Sequence, residues 1–140
     1  MKLLLDTNVI LDLLFRREKW LTQATQLWEA HLQGQIQVHI SASAVTDVFY
    51  IVRRQSGLAF ARESITKILN TLYIVPVDYE TLVLAHQMKA DDFEDNVQMA
   101  CAAQAQLDAI VTRNNKDFKL ETVLVFTPEE LLQKLEELRK

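Results

Sequence analysis

Short apolar runs alternate with longer stretches of helical periodicity along the whole of this chain, and that alternation narrows the fold more than any other feature. Lys2–Leu5, Gln37–Ile40, Tyr73–Val75, Ala109–Val111 and Val123–Phe126 read as strands. Between them, Asn8–Phe15, Leu21–Gln33, a stretch through Val45, Val48, Phe49 and Val52 to about Gln55, Leu58–Thr71, Tyr79–Lys89, Asp95–Gln106 and Glu129–Leu138 read as helices. In Tyr79–Lys89 the pattern turns Leu82, Ala85 and Met88 inward. Gly34 and Gly57 stop two of the helices, Ser41 or Ser43 caps a third, and Pro128 opens the last. Strands separated by helices require parallel crossovers and a sheet covered on both faces. The expectation is an α/β fold, a three-layer α/β/α sandwich with a short parallel sheet of about five strands. No linker, repeat or low-complexity tract interrupts it, so residues 1–140 read as a single domain. In such sheets the ligand crevice lies outside the carboxyl ends of the strands.

Composition removes several classes of function. With only Gly34 and Gly57, neither a glycine-rich dinucleotide loop nor a Walker phosphate loop can be built. Cys101 is the single cysteine, so no intrachain disulfide and no cysteine-based zinc site exists. His31, His39 and His86 lack metal-ligand spacing. The net charge of −4 argues against gripping nucleic acid by bulk positive charge. Asp6 breaks the first apolar run, so neither a signal peptide nor a membrane span is expected, and the cytoplasm is the default location.

Four acids converge on the carboxyl edge. Asp6 follows the first strand, Asp47 lies in about the first turn of the helix after the second, and Asp117 follows the fourth. Asp95 begins a helix that runs back toward the opposite edge, so it starts at this one. Any one of them alone is ordinary, because acids complement the dipole of a helix first turn and Asp92 can serve as an N-cap. Together they are costly: two carboxylates 4 Å apart repel by roughly 4 kcal/mol at an effective dielectric near 20. Protonation or a cation must relieve that repulsion. An oxygen-only donor set favours a hard divalent ion, Mg²⁺ or Mn²⁺, and such a centre suits phosphodiester hydrolysis.

The residues around these acids resemble the PIN-domain family. Leu3-Leu4-Leu5-Asp6-Thr7-Asn8-Val9-Ile10 is similar to its first motif, and Asp92-Phe93-Glu94-Asp95-Asn96-Val97-Gln98 to its third. Ile110-Val111-Thr112-Arg113-Asn114-Asn115-Lys116-Asp117-Phe118 is similar to its fourth. The likeness runs over essentially the whole length in matching order. It implies a Mg²⁺- or Mn²⁺-dependent endonuclease acting on single-stranded RNA, like the toxins of bacterial toxin–antitoxin pairs. It implies Asp6, Asp95 and Asp117 as metal ligands, Asp47 as the fourth acid, and Thr7, Asn8, Thr112 and Asn114 as supporting residues. A small antitoxin protein and homodimerisation follow from the same likeness. One departure stands out: the second acidic position is most often Glu in the family, and Asp47 is one methylene shorter.

Asp92 shares a helix face with Asp95 and is preferred over Glu94 as an additional member of the site. Arg113 and Lys116 flank the site and are candidates for contact with substrate phosphate. Arg16, Arg17, Lys19, Arg53 and Arg54 read first as dipole and solvation features at helix ends, with tracking of a substrate phosphate as the lesser alternative for each. Trp20, Trp28, Phe15, Phe49 and Tyr50 read as core or interface, Cys101 as a small buried residue, and Asp108 as a turn residue at the opposite edge. The rival reading is an inactive or weak PIN fold that binds RNA or protein. Metal-free RNA binding unchanged by Asp95→Asn would favour it. Haloacid-dehalogenase-type phosphatases and phospho-receiver domains rank low. The first lacks its second Asp, where Asn8 stands, and the second lacks its Lys, where Thr112 stands.

Overall fold

The computed structural model describes residues 1–114 and 123–140. The elements run β1 (Lys2–Leu5), α1 (Thr7–Leu14), α2 (Glu18–Leu32), β2 (Gln37–Ser41), α3 (Ala42–Ser56), α4 (Leu58–Thr71), β3 (Tyr73–Val75), α5 (Tyr79–Gln87), α6 (Phe93–Gln104), β4 (Ala109–Val111), β5 (Leu124–Phe126) and α7 (Pro128–Arg139). Among the described residues, five strands form one sheet in the order β3-β2-β1-β4-β5, and every pairing is parallel. The three-layer expectation is met.

Side-chain alternation divides the core in two. Leu3 and Leu5 of β1, Val38 and Ile40 of β2, and Ala109 and Val111 of β4 pack under α1, α2, α3, α4 and α7. Leu4 and Ile110 point the other way, into a smaller cluster with Ala85 of α5 and Val97, Ala100 and Cys101 of α6. Burial pushes the Cys101 thiol up to about 11, which suits an inert packing residue.

Local chemistry explains where the helices begin and end. Ser41 accepts a hydrogen bond from the Ala44 amide, so it is Ser41, and not Ser43, that caps α3. Gly57 stands between α3 and α4 at φ 90°, and Gly34 follows α2 at φ 78°. Both lie in the left-handed region where a side chain would be strained. Thr127 and Glu130 close a capping box around Pro128 at the start of α7. Asp108 accepts from the Lys2 amide (2.8 Å), a bond between β1 and the start of β4 at the amino edge. One inward assignment fails: Leu82 is exposed, and Thr81 and Ala85 are the buried residues of α5. Thr81 can be buried because its hydroxyl bonds both Asp78 and Gln104.

The strand order reverses between β1 and β4, with β2 on one side and β5 on the other. The carboxyl ends of β1 and β4 therefore flank the switch point, where α/β sheets open a crevice. Among the described residues, no helix is long and apolar enough to cross a membrane.

Candidate active site

A cleft of about 490 Å³ opens at this switch point, lined by Asp6, Asp47, Asp92, Glu94 and Asp95 among others. Asp6 is placed by the sheet. Its amide donates to the Val111 carbonyl (2.9 Å), carrying the β1–β4 ladder one residue past the strand ends. Its side chain is buried and fully oriented: Gln98 Nε2 donates to Oδ1 (2.9 Å) and Thr112 Oγ1 donates to Oδ2 (2.7 Å). Each oxygen keeps lone-pair capacity beyond the bond it accepts. The Thr112 hydroxyl also accepts from the Asn114 amide (3.2 Å), tying the chain after β4 to the same carboxylate.

The other acids arrive on helices. Asp92 is the N-cap of α6, and its Oδ1 accepts from the Asp95 amide (3.0 Å). The helix thus starts two residues earlier than its periodicity suggests, and Asp95 lies in its first turn. Asn96 donates to the Ala90 carbonyl (2.9 Å), pinning the approach to α6. Asp47 lies in the second turn of α3, deeper than expected. Glu94 hydrogen-bonds Asp47, and this bond first, then burial, then the charges of Asp47, Asp92 and Asp6, raises its carboxyl to about 7. A carboxylic acid that holds its proton toward neutral pH can donate it to the carboxylate beside it, which reduces the charge that Glu94 and Asp47 carry together.

Asp92 and Glu94 both line the cleft: Asp92 caps α6 through Oδ1, and Glu94, which the sequence ranked second, reaches across to Asp47. Gln98 was missed, although its place three residues after Asp95 put it on the same helix face. Tyr50 and Arg54 also line the cleft, where core or interface packing and, first, a dipole and solvation role were expected.

Arg113 departs from its expected place. It is outside the cleft lining, with Nε 3.1 Å from Oδ2 of Asp12 and its guanidinium 3.8 Å over the ring of Trp20. Arg17 reaches the other oxygen of Asp12 at 3.1 Å. Asp12 is 1% exposed on α1, and a carboxylate so buried needs charged partners. Burial still raises its pKa, against the Arg17 hydrogen bond and the charges of Arg113 and Arg17 that lower it. Lys116 and Asp117 lie outside the described residues.

A cation fits the donor chemistry of the cleft. Its carboxylates are hard oxygen donors, and two buried polar atoms on its lining, Thr7 Oγ1 and Gln98 Oε1, have no hydrogen-bond partner among the described residues. Among the described residues, no three His, Cys, Asp or Glu side chains form a group that could hold a metal ion. The expected third ligand, Asp117, falls in the segment outside that description.

A family model for the PIN domain matches residues 2–116. The chain belongs to the PIN-domain family. No curated protein matches its sequence. Solved PIN-like structures share the fold. A toxin–antitoxin complex from Klebsiella pneumoniae is 24% identical, with a TM-score of 0.66 over 89% of this chain and 96% of that one. FitAcB from Neisseria gonorrhoeae is 20% identical, with a TM-score of 0.67 over 91% and 98%. A sarcin–ricin-loop-cleaving toxin of Mycobacterium tuberculosis is 14% identical, with a TM-score of 0.63 over 77% and 86%. The PIN-domain match spans β1 through β4, so it includes every described acid of the cleft.

Proposed function

We propose that this PIN domain is a metal-dependent endoribonuclease that hydrolyses RNA phosphodiester bonds as the toxin of a toxin–antitoxin pair. The observation that carries the reading is Asp6, a buried carboxylate held by two neutral donors at the head of an acid-lined cleft. Neutral donors orient it without cancelling its charge, which leaves that charge for an external cation. Fold-mates that include a toxin–antitoxin complex and a toxin that cleaves the sarcin–ricin loop support the same class.

In this reading Asp6 and Asp95, with Asp117, hold Mg²⁺ or Mn²⁺, and Asp47 with Glu94 completes the acidic wall. The ion would supply a Lewis acid for the phosphoryl oxygen and acidify the attacking water. Gln98 and Thr112 fix the Asp6 carboxylate so that it does not reorganise when substrate arrives. The Asp92 cap sets the position of Asp95 by fixing the first turn of α6. Thr7 and Asn8 line the cleft beside Asp6. Water attack breaks the bond from phosphorus to the 3′ oxygen, so the products carry 5′-phosphate and 3′-hydroxyl ends. The same reading puts the protein in the cytoplasm, as a homodimer restrained by a small antitoxin.

The test is cleavage of total bacterial RNA by the native chain with Mg²⁺ or Mn²⁺, compared with Asp95→Asn and with chelator. Metal-dependent cleavage that the variant loses, leaving 5′-phosphate ends, is the expected result. Cyclic-phosphate ends would overturn the mechanism. RNA binding that needs no metal and survives Asp95→Asn, without cleavage, would replace it with the binding-module reading.

A further inference from the structure

We propose that the face of α3 beyond Asp47 is a track for single-stranded RNA, in which Tyr50 stacks on an unpaired base and Arg54 meets a flanking phosphate. This deepens the ribonuclease reading and rests on it. Asp47, Tyr50, Ile51 and Arg54 recur at helical spacing, and all four line the acidic cleft. At 1.5 Å per residue, Arg54 stands roughly 10 Å along the helix from Asp47. It therefore addresses a different part of a strand than the carboxylates do.

The two side chains are poised for that contact. Tyr50 is 60% exposed. Its ring packs edge-to-face with the half-buried Phe49, at 5.2 Å and 87°. That contact braces the Tyr50 ring while most of its surface stays in solvent. Arg54 is the one cation on the cleft lining among the described residues, and no described carboxylate forms a salt bridge with it. Arg17 and Arg113, by contrast, are both committed to Asp12. A guanidinium that no described carboxylate pairs, on a cleft lined by five described acids, is placed for an anion from outside, and RNA brings one at every nucleotide. An exposed aromatic face next to it selects strands whose bases are unstacked, because a duplex hides its base faces.

The experiment measures fluorescence anisotropy of a labelled mixed-sequence single-stranded RNA with Mg²⁺, in an Asp95→Asn background that holds hydrolysis off. Tyr50→Ala is expected to weaken binding about 5- to 150-fold, and Tyr50→Phe to restore it. Arg54→Gln is expected to reduce the slope of log affinity against log salt by about 0.7. The same RNA annealed into a duplex should bind no better than it does to Tyr50→Ala. Equal binding by the parent and both variants, or a duplex that binds as well as the single strand, overturns the track. In the otherwise native chain, Tyr50→Ala should raise KM for RNA cleavage more than it lowers kcat. If the native chain cleaves with metal while neither variant changes KM, the track falls and the nuclease stands. If the native chain neither binds nor cleaves RNA, both fall.

Discussion

Replacing Glu94 by Gln should flatten the pH dependence of stability in metal-free protein. In the native fold the Glu94 carboxyl is raised from 4.5 to about 7, first by its hydrogen bond with Asp47. A raised carboxyl means that the folded state holds a proton the unfolded chain releases. Stability is then full below the unfolded value, near 4.5, and falls as pH climbs through the folded value, near 7. At about 1.4 kcal/mol per pH unit the undiscounted loss is roughly 3 kcal/mol. Glu94 is solvent-exposed, and screening reduces that to on the order of 1 kcal/mol. For a domain of this length, 1 kcal/mol moves Tm by about 4 °C. Gln mimics the protonated acid and keeps a donor for Asp47 at every pH. Thermal unfolding followed by circular dichroism in chelator, from pH 4.5 to 8, should show the native Tm falling relative to Glu94→Gln by about that amount. Saturating Mg²⁺ should close the gap by attracting the ionised carboxylate. Parallel pH profiles for the two proteins would refute the proton held between Glu94 and Asp47.

The remaining predictions probe the supports of the site. Gln98→Leu removes a buried donor from Asp6 and should cost about 1.5–3 kcal/mol of stability by denaturant titration, and abolish metal-dependent cleavage. Thr112→Val should act in the same direction through the other Asp6 oxygen, and its failure to change activity would mean that Asp6 needs no second anchor. Asp12→Asn strands Arg17 and Arg113 and should destabilise by about 3 kcal/mol, since one partner of a buried pair is lost. Ser41→Ala should cost about 1 kcal/mol by removing the cap of α3, without changing the metal requirement of cleavage.

Element order and sheet direction were legible because they follow from periodicity, which is local. Asp6 at the end of β1 and the Asp92 cap were legible for the same reason: each depends on residues within a few positions. Apart from helix boundaries such as the start of α6, the assignments that slipped turn on how distant parts of the chain pack. Nothing near Arg113 announces that Asp12 and Trp20 will take it, because α1 and α2 meet the end of β4 only in the folded chain. Nothing near Glu94 says that α3 will bring Asp47 to it. Leu82 reads as core by spacing, yet Thr81 is buried in its place, since Gln104 of α6 satisfies the hydroxyl. Tyr50 reads as apolar bulk until the helix is docked and its ring is left at the mouth of the cleft.

The distribution of cations around the two buried acids explains why one of them is a candidate ligand and the other is not. Asp6 and Asp12 lie six residues apart across α1, close enough that the Asp6 charge raises Asp12. Asp12 receives two guanidiniums, one of them clamped against an indole, so its charge is spoken for within the fold. Asp6 receives an amide and a hydroxyl, which orient it and leave its charge intact. Had the arginines gone to Asp6, its carboxylate would be neutralised and would offer a divalent ion little attraction. Exchanging the two environments makes the argument testable. Gln98→Arg places a guanidinium against Asp6 at the same helix position. It should leave the fold intact as judged by circular dichroism, lower Glu94 from its raised value, and remove the stabilisation by Mg²⁺. Retained Mg²⁺ stabilisation in Gln98→Arg would show that the uncancelled charge of Asp6 is not what draws the ion.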